Sequence, residues 1–268
     1  MLRLAGPLQS WGSQSQFNRR DTSGEPTKSG ILGLLAAAQG RRRQDPIEDL
    51  LTLRLGVRTD QAGSLLRDYH TVSDLRRRPL LSAQVNAKGM QKQTSPAKLT
   101  YVTERFYLQD AVFVAAVCGP AGLLETLAAA MRSPSFPLAL GRRACPPTQP
   151  LLIPPPGGES LDAPALWPGE PAVVLGHVAW MASEPARDAW RRNAKRDGRG
   201  LPATLPLPVT VDDEDGHDVR ADVPVSFAPR ERGFTTRRVR QDWVLVPTGH
   251  DPADGEGPLH DPFALLGW

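Results

Sequence analysis

The sequence predicts an α+β fold, and three observations predict it. Apolar segments up to about residue 153 follow the order strand, helix, strand, strand, helix, strand. A polar, basic stretch from Leu65 to Tyr107 separates the second strand from the third. Beyond residue 153 the composition turns Pro- and Asp-rich. The first two features match the βαββαβ pattern of a ferredoxin-like (RRM-like) domain carrying an inserted β-hairpin. The third adds a Pro-rich C-terminal extension with further strands and one helix.

In chain order, "MLRLAGP" reads as a strand ended by Gly6 and Pro7. It is short for a first strand, which raises the expectation that translation starts a few residues upstream. "QSWGSQSQFNRRDTSGEPT" is a polar loop that should expose Trp11, Phe17, Arg19 and Arg20. In "KSGILGLLAAAQG", Thr27 or Ser29 can N-cap a helix, and Ile31, Leu34, Leu35 and Ala38 share one face. Gly30 and Gly33 let that helix lie close to a sheet, and Gly40 ends it. A basic turn and a short helix near Pro46 lead to the strand "TLRLGVR", where Leu53, Leu55 and Val57 alternate with Arg54 and Arg58.

Residues 65–107 carry eight Lys+Arg against three Asp+Glu. Their ends, "RDYHTVSDL" and "KLTYVTERFY", have strand character and flank a polar tip, so a long basic hairpin is expected to project from the body. "DAVFVAAVCG" is a buried strand and "PAGLLETLAAAMRS" a helix with Pro120 near its first turn. "FPLALGRRACPPTQPLLI" is a strand interrupted by a Gly-Arg-Arg turn. Eleven prolines between residues 134 and 171 preclude much regular structure and mark 154–171 as a linker or wrapping segment. Residues 172–247 form a β-rich region. It holds the strand "AVVLGHVAW", a helix capped by Ser183, strands in "DVRADVPVSF" and "RRVRQDWVLVP", and a solvated acidic turn, "VDDEDGHD". Residues 248–268 read as a flexible tail.

Charge divides along the chain. Residues 1–150 carry 20 Lys+Arg against 11 Asp+Glu, and residues 151–268 carry 12 against 18. A polyanionic partner for the first part is one reading; a solvated basic face is the other. No apolar run is long enough to span a membrane and no signal-peptide core opens the chain, so a cytoplasmic protein is expected. Cys118 and Cys145 have no CxxC spacing and no nearby histidine pair. Neither a metal site nor a disulfide follows, and both read as small buried residues. No cofactor is implied.

"GEPTKSG" has the residue inventory of a phosphate loop without its geometry. Thr27 stands where a Walker A loop needs glycine, Gly24 lies four residues before Lys28 instead of six, and Pro26 has no N–H. What remains is a capped helix N-terminus beside Lys28, which suits one phosphate of a polymer or is a plain packed helix. "LRDYHTV" sets Tyr69 and His70 beside Arg67, a set with the groups for metal-free RNA cleavage or for RNA stacking. The other histidines, His177, His217, His250 and His260, all lie in the acidic part, which favours a structural or RNA-stacking role for His70 over catalysis. "LGRRACPPT" holds Arg142 and Arg143 in a turn between Gly141 and prolines, which suits phosphate or base-edge contacts, or leaves two surface arginines. Cations interleaved with Trp11, Phe17, Tyr69, Tyr101 and Tyr107 fit single-stranded nucleic acid, and the domain type favours RNA.

"LRLAGPLQSWG", "PTKSGILGLLAAAQG", "LRDYHTV" and "LGRRACPPTQPL", in this order, resemble the CasD subunits of type I-E CRISPR Cascade complexes, in the RAMP superfamily. The resemblance spans roughly residues 1–153 and is weaker in "DVPVSFAPRERGFTTRRVRQDWV". It implies a ferredoxin-like palm over 1–153 and a thumb over 65–107. It also implies a non-catalytic role in antiviral defence: capping the 5′ handle of the CRISPR RNA (crRNA). By that analogy the handle lies along Lys28, Ser29, Arg67, Tyr69, His70, Arg142 and Arg143, and the thumb adds Arg76, Lys88, Lys98, Tyr101 and Arg105. The implied partners are the crRNA, a CasC-type backbone subunit and the large DNA-inspecting subunit, with target DNA met only through the assembled complex and no membrane. The alternative is a metal-independent endoribonuclease that processes precursor crRNA through His70. The stretch from Gly157 onward, outside the main resemblance, is expected to be a lineage-specific extension bracing a neighbouring subunit.

Overall fold

The computed structural model describes residues 1–12, 18–157, 166–228 and 231–249, with the backbone alone at 83 and 84. In chain order the elements are β1 (Leu2–Ala5), β2 (Leu8–Gln9), β3 (Arg19–Arg20), α1 (Lys28–Ala38), α2 (Glu48–Leu51), β4 (Arg54–Gln61), β5 (Ser64–Ser73), β6 (Leu81–Val85) and β7 (Gln91–Gln93). They continue with β8 (Thr100–Gln109), β9 (Val112–Cys118), α3 (Ala121–Arg132), α4 (Pro171–His177), α5 (Glu184–Arg196), β10 (Thr204–Asp212), β11 (Asp218–Ser226) and β12 (Gly233–Pro247). The fold is mixed α+β, as expected.

One antiparallel sheet organises it, in the order β1-β9-β4-β10-β12-β11. Alternate side chains of β4 and β9 point to opposite faces, and both faces are covered. Leu55, Val57, Phe113 and Ala115 pack with Ile31, Leu35, Leu127 and Met131 of α1 and α3. Val114, Ala116 and Val209 pack with Val174 and Leu175 of α4 on the other side. Helix α1 forms where expected, with Thr27 Oγ1 accepting from the Gly30 N–H at 3.2 Å. Gly30 is required not by the sheet but by Trp11: a Cβ there would lie 2.6 Å from the indole ring. Trp11 is therefore a fully buried core residue and not an exposed loop aromatic, with its Nε1–H donated to Gln9 Oε1 at 3.0 Å. Phe17 lies outside the described residues.

Several expectations change. The strand foreseen in residues 136–153 is not a regular strand, because Pro137, Pro146, Pro147 and Pro150 remove donors. Its last residues still run along β1, with Arg3 N–H donating to Leu151 O at 2.7 Å and Ile153 N–H to Met1 O at 3.0 Å. "AVVLGHVAW" is mostly helix α4, with Pro171 at its first turn. A short apolar run does not distinguish a buried strand from a buried helix by periodicity. β10 was hidden in the sequence by Pro206 and Pro208. Both lie where β10 pairs with β12, outside the Val209–Val211 stretch that pairs with β4. The β10–β4 pairing makes the C-terminal strands a continuation of the same sheet. Residues 158–165 of the expected linker and the tail from residue 250 lie outside the described residues.

Two ion-pair clusters fix this sheet to its surroundings. Arg58, expected to alternate outward, is fully buried because α4 covers that face. Its Nε and Nη2 donate to the two carboxylate oxygens of Asp60 at 2.7 Å each. Its Nη1 donates to Leu175 O and, at 2.6 Å, to Val178 O. Met181 N–H and Trp180 Nε1–H close the shell on Asp60, through Oδ2 and the backbone carbonyl.

The second cluster joins α1 to the C-terminal strands. Lys28 Nζ donates to Asp212 Oδ2 at 2.9 Å, and Leu55 N–H donates to the same oxygen at 2.9 Å. Arg237 grips Asp222 through Nε at 2.7 Å and Nη2 at 2.9 Å, and reaches Asp212 through Nη1. Asp222 Oδ2 also accepts the Lys28 backbone N–H at 2.8 Å, at the start of α1. Burial pulls the Arg237 pKa down, but the hydrogen bonds and charge of Asp222 and Asp212 outweigh it and hold it above its ordinary value. The acidic run read as a solvated turn thus begins with an anchor, Asp212, whose side chain is only 10% exposed; the turn itself covers residues 213–217.

Removing one member strands the others. Asp222→Ala should lower the unfolding free energy by about 3–5 kcal/mol, since buried Arg237 loses its two-pronged partner and α1 its capping anion. Urea unfolding checks this; a loss under about 1 kcal/mol would show that solvent compensates the cluster. Arg58→Met should cost a similar amount, about 3–5 kcal/mol, by leaving Asp60 without its cation and the Leu175 and Val178 carbonyls without their donor.

Candidate nucleic-acid interface

The inserted segment is a hairpin whose strands pair without a slip, from Ser64↔Gln109 to Ser73↔Thr100. Its foot is braced: β8 also pairs with β2 through Leu8↔Gln109 and Gln9↔Leu108, and in parallel with β3 through Arg19↔Glu104 and Arg20↔Arg105. The distal part holds only the small β6–β7 ladder and turns such as Asn86–Met90, where Asn86 Oδ1 accepts from the Lys88 and Met90 N–H groups.

Period-two geometry gives the hairpin two faces. Leu66, Asp68 and His70 share one with Arg105 and Tyr107, their neighbours on β8. Beside that face lies the turn from Leu140 to Cys145, whose ends are fully buried and paired to each other, Leu140 N–H to Cys145 O at 2.7 Å. Gly141 makes the turn possible: its φ is +87°, and a Cβ would lie 1.8 Å from Ser10 O. Burial pushes the Cys145 thiol pKa up, and Cys145 is the small core residue expected. Cys118 is instead half-exposed, 3.6 Å from Arg54 Nη2.

Between hairpin foot and turn opens a cleft of about 590 Å³. His70, Arg105 and Arg142 line it, with apolar Leu8 and Leu66; Arg67 borders it, but its guanidinium lies beside Glu104 on the other face of the hairpin. Arg142 does not float. Its guanidinium lies 4.9 Å over the Tyr107 ring and donates to Phe106 O at 3.2 Å and Arg20 O at 2.7 Å. Arg105 Nη1 meets His70 Nδ1 at 2.7 Å, and His70 Nε2 meets Asp68 Oδ1 at 3.1 Å. A guanidinium only donates, so Nδ1 accepts and the imidazole hydrogen sits on Nε2, facing the carboxylate. Both ring nitrogens are engaged in this arrangement.

The remaining sequence-derived candidates are distributed otherwise. Lys28 and Ser29 are buried, and the helix N-terminus that suits a phosphate already holds the Asp222 carboxylate. Tyr69 is exposed on the opposite hairpin face, where Arg67 lies 3.6 Å from Glu104. Arg76, Lys88 and Lys98 are exposed in the distal part, with Lys98 Nζ 5.7 Å over the Tyr101 ring and Tyr101 OH donating to Leu81 O at 3.1 Å. Arg143 is exposed beside the cleft. Asp68 and the seating of Arg142 on the Tyr107 ring were not foreseen. The i, i+2 spacing of Asp68 and His70 on a strand was the available signal for the first.

A mixed α+β sheet with a cationic cleft at the foot of an inserted hairpin defines the class of protein. The family model for CRISPR-associated protein (Cas_Cas5) matches residues 1–240, and the chain belongs to that family. It is 35% identical over 167 residues to "CRISPR system Cascade subunit CasD" of Escherichia coli (strain K12), covering 57% of this chain and 69% of that protein. A solved "CRISPR RNA-guided surveillance complex" contains a chain with a TM-score of 0.64 and 32% identity, over 92% of this chain and 90% of that one. A "Crystal structure of Cas protein" aligns with a TM-score of 0.60 and 32% identity, over 96% and 98%. The region beyond Gly157 is therefore shared with relatives, and the expectation of a lineage-specific extension does not hold. Among the described residues no helix is long and apolar enough to cross a membrane.

The cleft depends on the Gly141 turn. Gly141→Ala should lower stability by roughly 1–3 kcal/mol in thermal or urea unfolding, because alanine at this φ is strained even before it meets Ser10. Unchanged stability would mean that the turn has another conformation of similar energy.

Proposed function

We propose that this chain is a non-catalytic crRNA-binding subunit of a type I-E Cascade complex, active in the cytoplasm in antiviral defence. The observation that carries the reading is the convergence of His70, Arg105 and Arg142 on one cleft, with Arg67 and Arg143 beside it, in a member of this family. Residues 1–153 serve as the ferredoxin-like palm. The order of residues 148–153, β1, β9 and β4, with α1 and α3 on one face, supports that reading. The hairpin over 65–107 serves as the thumb.

The 5′ handle of the crRNA crosses the foot of the thumb, where arginines meet phosphates and stack against bases. Arg76, Lys88, Lys98 and Tyr101 extend the contact toward the tip; Lys28 and Ser29 support it from the core by holding α1. A CasC-type backbone subunit and the large DNA-inspecting subunit dock around the capped end, residues 172–247 brace one of them, and target DNA is read by guide pairing and not by this chain. That His70 is the one histidine of the basic part speaks against the endoribonuclease alternative.

Gel shifts of the full chain with crRNA carrying or lacking its handle, in EDTA, test the reading. Handle-dependent binding of intact RNA is expected, and a shortened RNA on a denaturing gel would overturn it. Arg143→Ala should weaken binding to all handle sequences alike and reduce the slope of log K against log salt by about 0.7, one phosphate's share on a single strand.

A further inference from the structure

The cleft at the hairpin foot is poorly suited to a phosphate alone. Asp68 projects into it, opposite Arg105 in the strand register, yet makes no ion pair with it. Its Oδ1 bonds His70 Nε2 at 3.1 Å, and among the described residues its Oδ2 meets no donor. An unengaged carboxylate oxygen repels a phosphate and welcomes a neutral group that donates. Leu8, Leu66 and the Arg142 guanidinium, fixed on Tyr107, supply flat and apolar walls of the kind a base contacts.

Arg105 is held for a different task from that of a mobile surface cation. His70 takes one N–H of its guanidinium at 2.7 Å, and its other N–H groups have no partner among the described residues. Asp68 orients His70, and His70 orients Arg105, so the free fork is aimed before any ligand arrives. A fork of this kind pairs with two adjacent acceptors, and guanine offers them in O6 and N7. Guanine also carries N1–H and N2–H₂ on the adjoining edge, donors that match the open oxygen of Asp68. Adenine sets a donor beside N7, which opposes the fork.

Resting on the reading of this site as an RNA cleft, we propose that it is a base-specific pocket for one guanine of the bound strand. Arg105 is the specificity-determining residue, and His70 and Asp68 are positioning residues that act through it. Recognition of that nucleotide is by base edge, and neighbouring nucleotides are held by phosphate contacts.

The test is fluorescence anisotropy of the full chain with labelled handle RNAs in which each position is replaced in turn by all four bases. One position is expected to prefer guanine at least ~10-fold over the other three bases. Arg105→Lys, which keeps the charge, should flatten that preference while total affinity falls only a few-fold. Asp68→Asn and His70→Gln should reduce the preference partly, without changing the salt slope as loss of a phosphate contact would. Four equal bases at every position, a preference for another base, or an Arg105→Lys variant with undiminished preference each overturn the proposal while leaving RNA binding intact. No binding of any handle RNA would instead remove the functional reading itself.

Discussion

The architecture depends on one buried ion network, Lys28 and Arg237 against Asp212 and Asp222. Burying four charges costs several kcal/mol each unless every one is matched, and here each carboxylate meets two donors at least. The cluster sets α1, β10, β11 and β12 in one relation, because its members come from all four elements. It also accounts for part of the charge division along the chain. Lys28 of the basic part is neutralised by Asp212 of the acidic part, and Arg54 lies 3.0 Å from Glu170 in the same sense. The rest of the excess cation sits largely on the hairpin and the Gly141 turn, where no acidic strand covers it.

That distribution decides where a polyanion can bind. At the start of α1 the dipole and the free N–H groups are already matched by Asp222 and Thr27, so a phosphate there would have to displace an internal anion. At the hairpin foot the cations are held but not neutralised. Arg142 uses its donors on backbone carbonyls and keeps its charge, and Arg105 is oriented by the His70 ring and not by a carboxylate. Bracing of β8 by β2 and β3 makes the foot the rigid part of the insertion, and the distal turns carry the exposed lysines.

Much of this was legible in the sequence for reasons that are local. Thr27 before an apolar 3.6-residue stripe, Gly40 after it, and Gly141 before paired arginines each act over a few residues, and each appears where expected. The basic hairpin was legible because its composition departs from both flanks. What failed to show depended on distant partners. Arg58 looks like an outward strand residue until α4, more than a hundred residues later, covers it. Asp212 looks solvated until β10 joins β4. Trp11 looks like a loop aromatic until Gly30 opens room for its ring. β10 was masked by two prolines that are harmless only because that part of the strand has a single neighbour. In the cleft, three of the residues picked from the sequence, His70, Arg105 and Arg142, converge, whereas Asp68 is meaningful only once the strand register is known.

UV cross-linking of the full chain to handle RNA, read by mass spectrometry, is the most direct measurement of where the strand lies. Cross-links on residues 66–70, 105–107 and 142–144 are predicted, with none on 27–31. Cross-links concentrated on 27–31 and missing from the hairpin foot would contradict the account, and would mean that RNA displaces Asp222 from the start of α1.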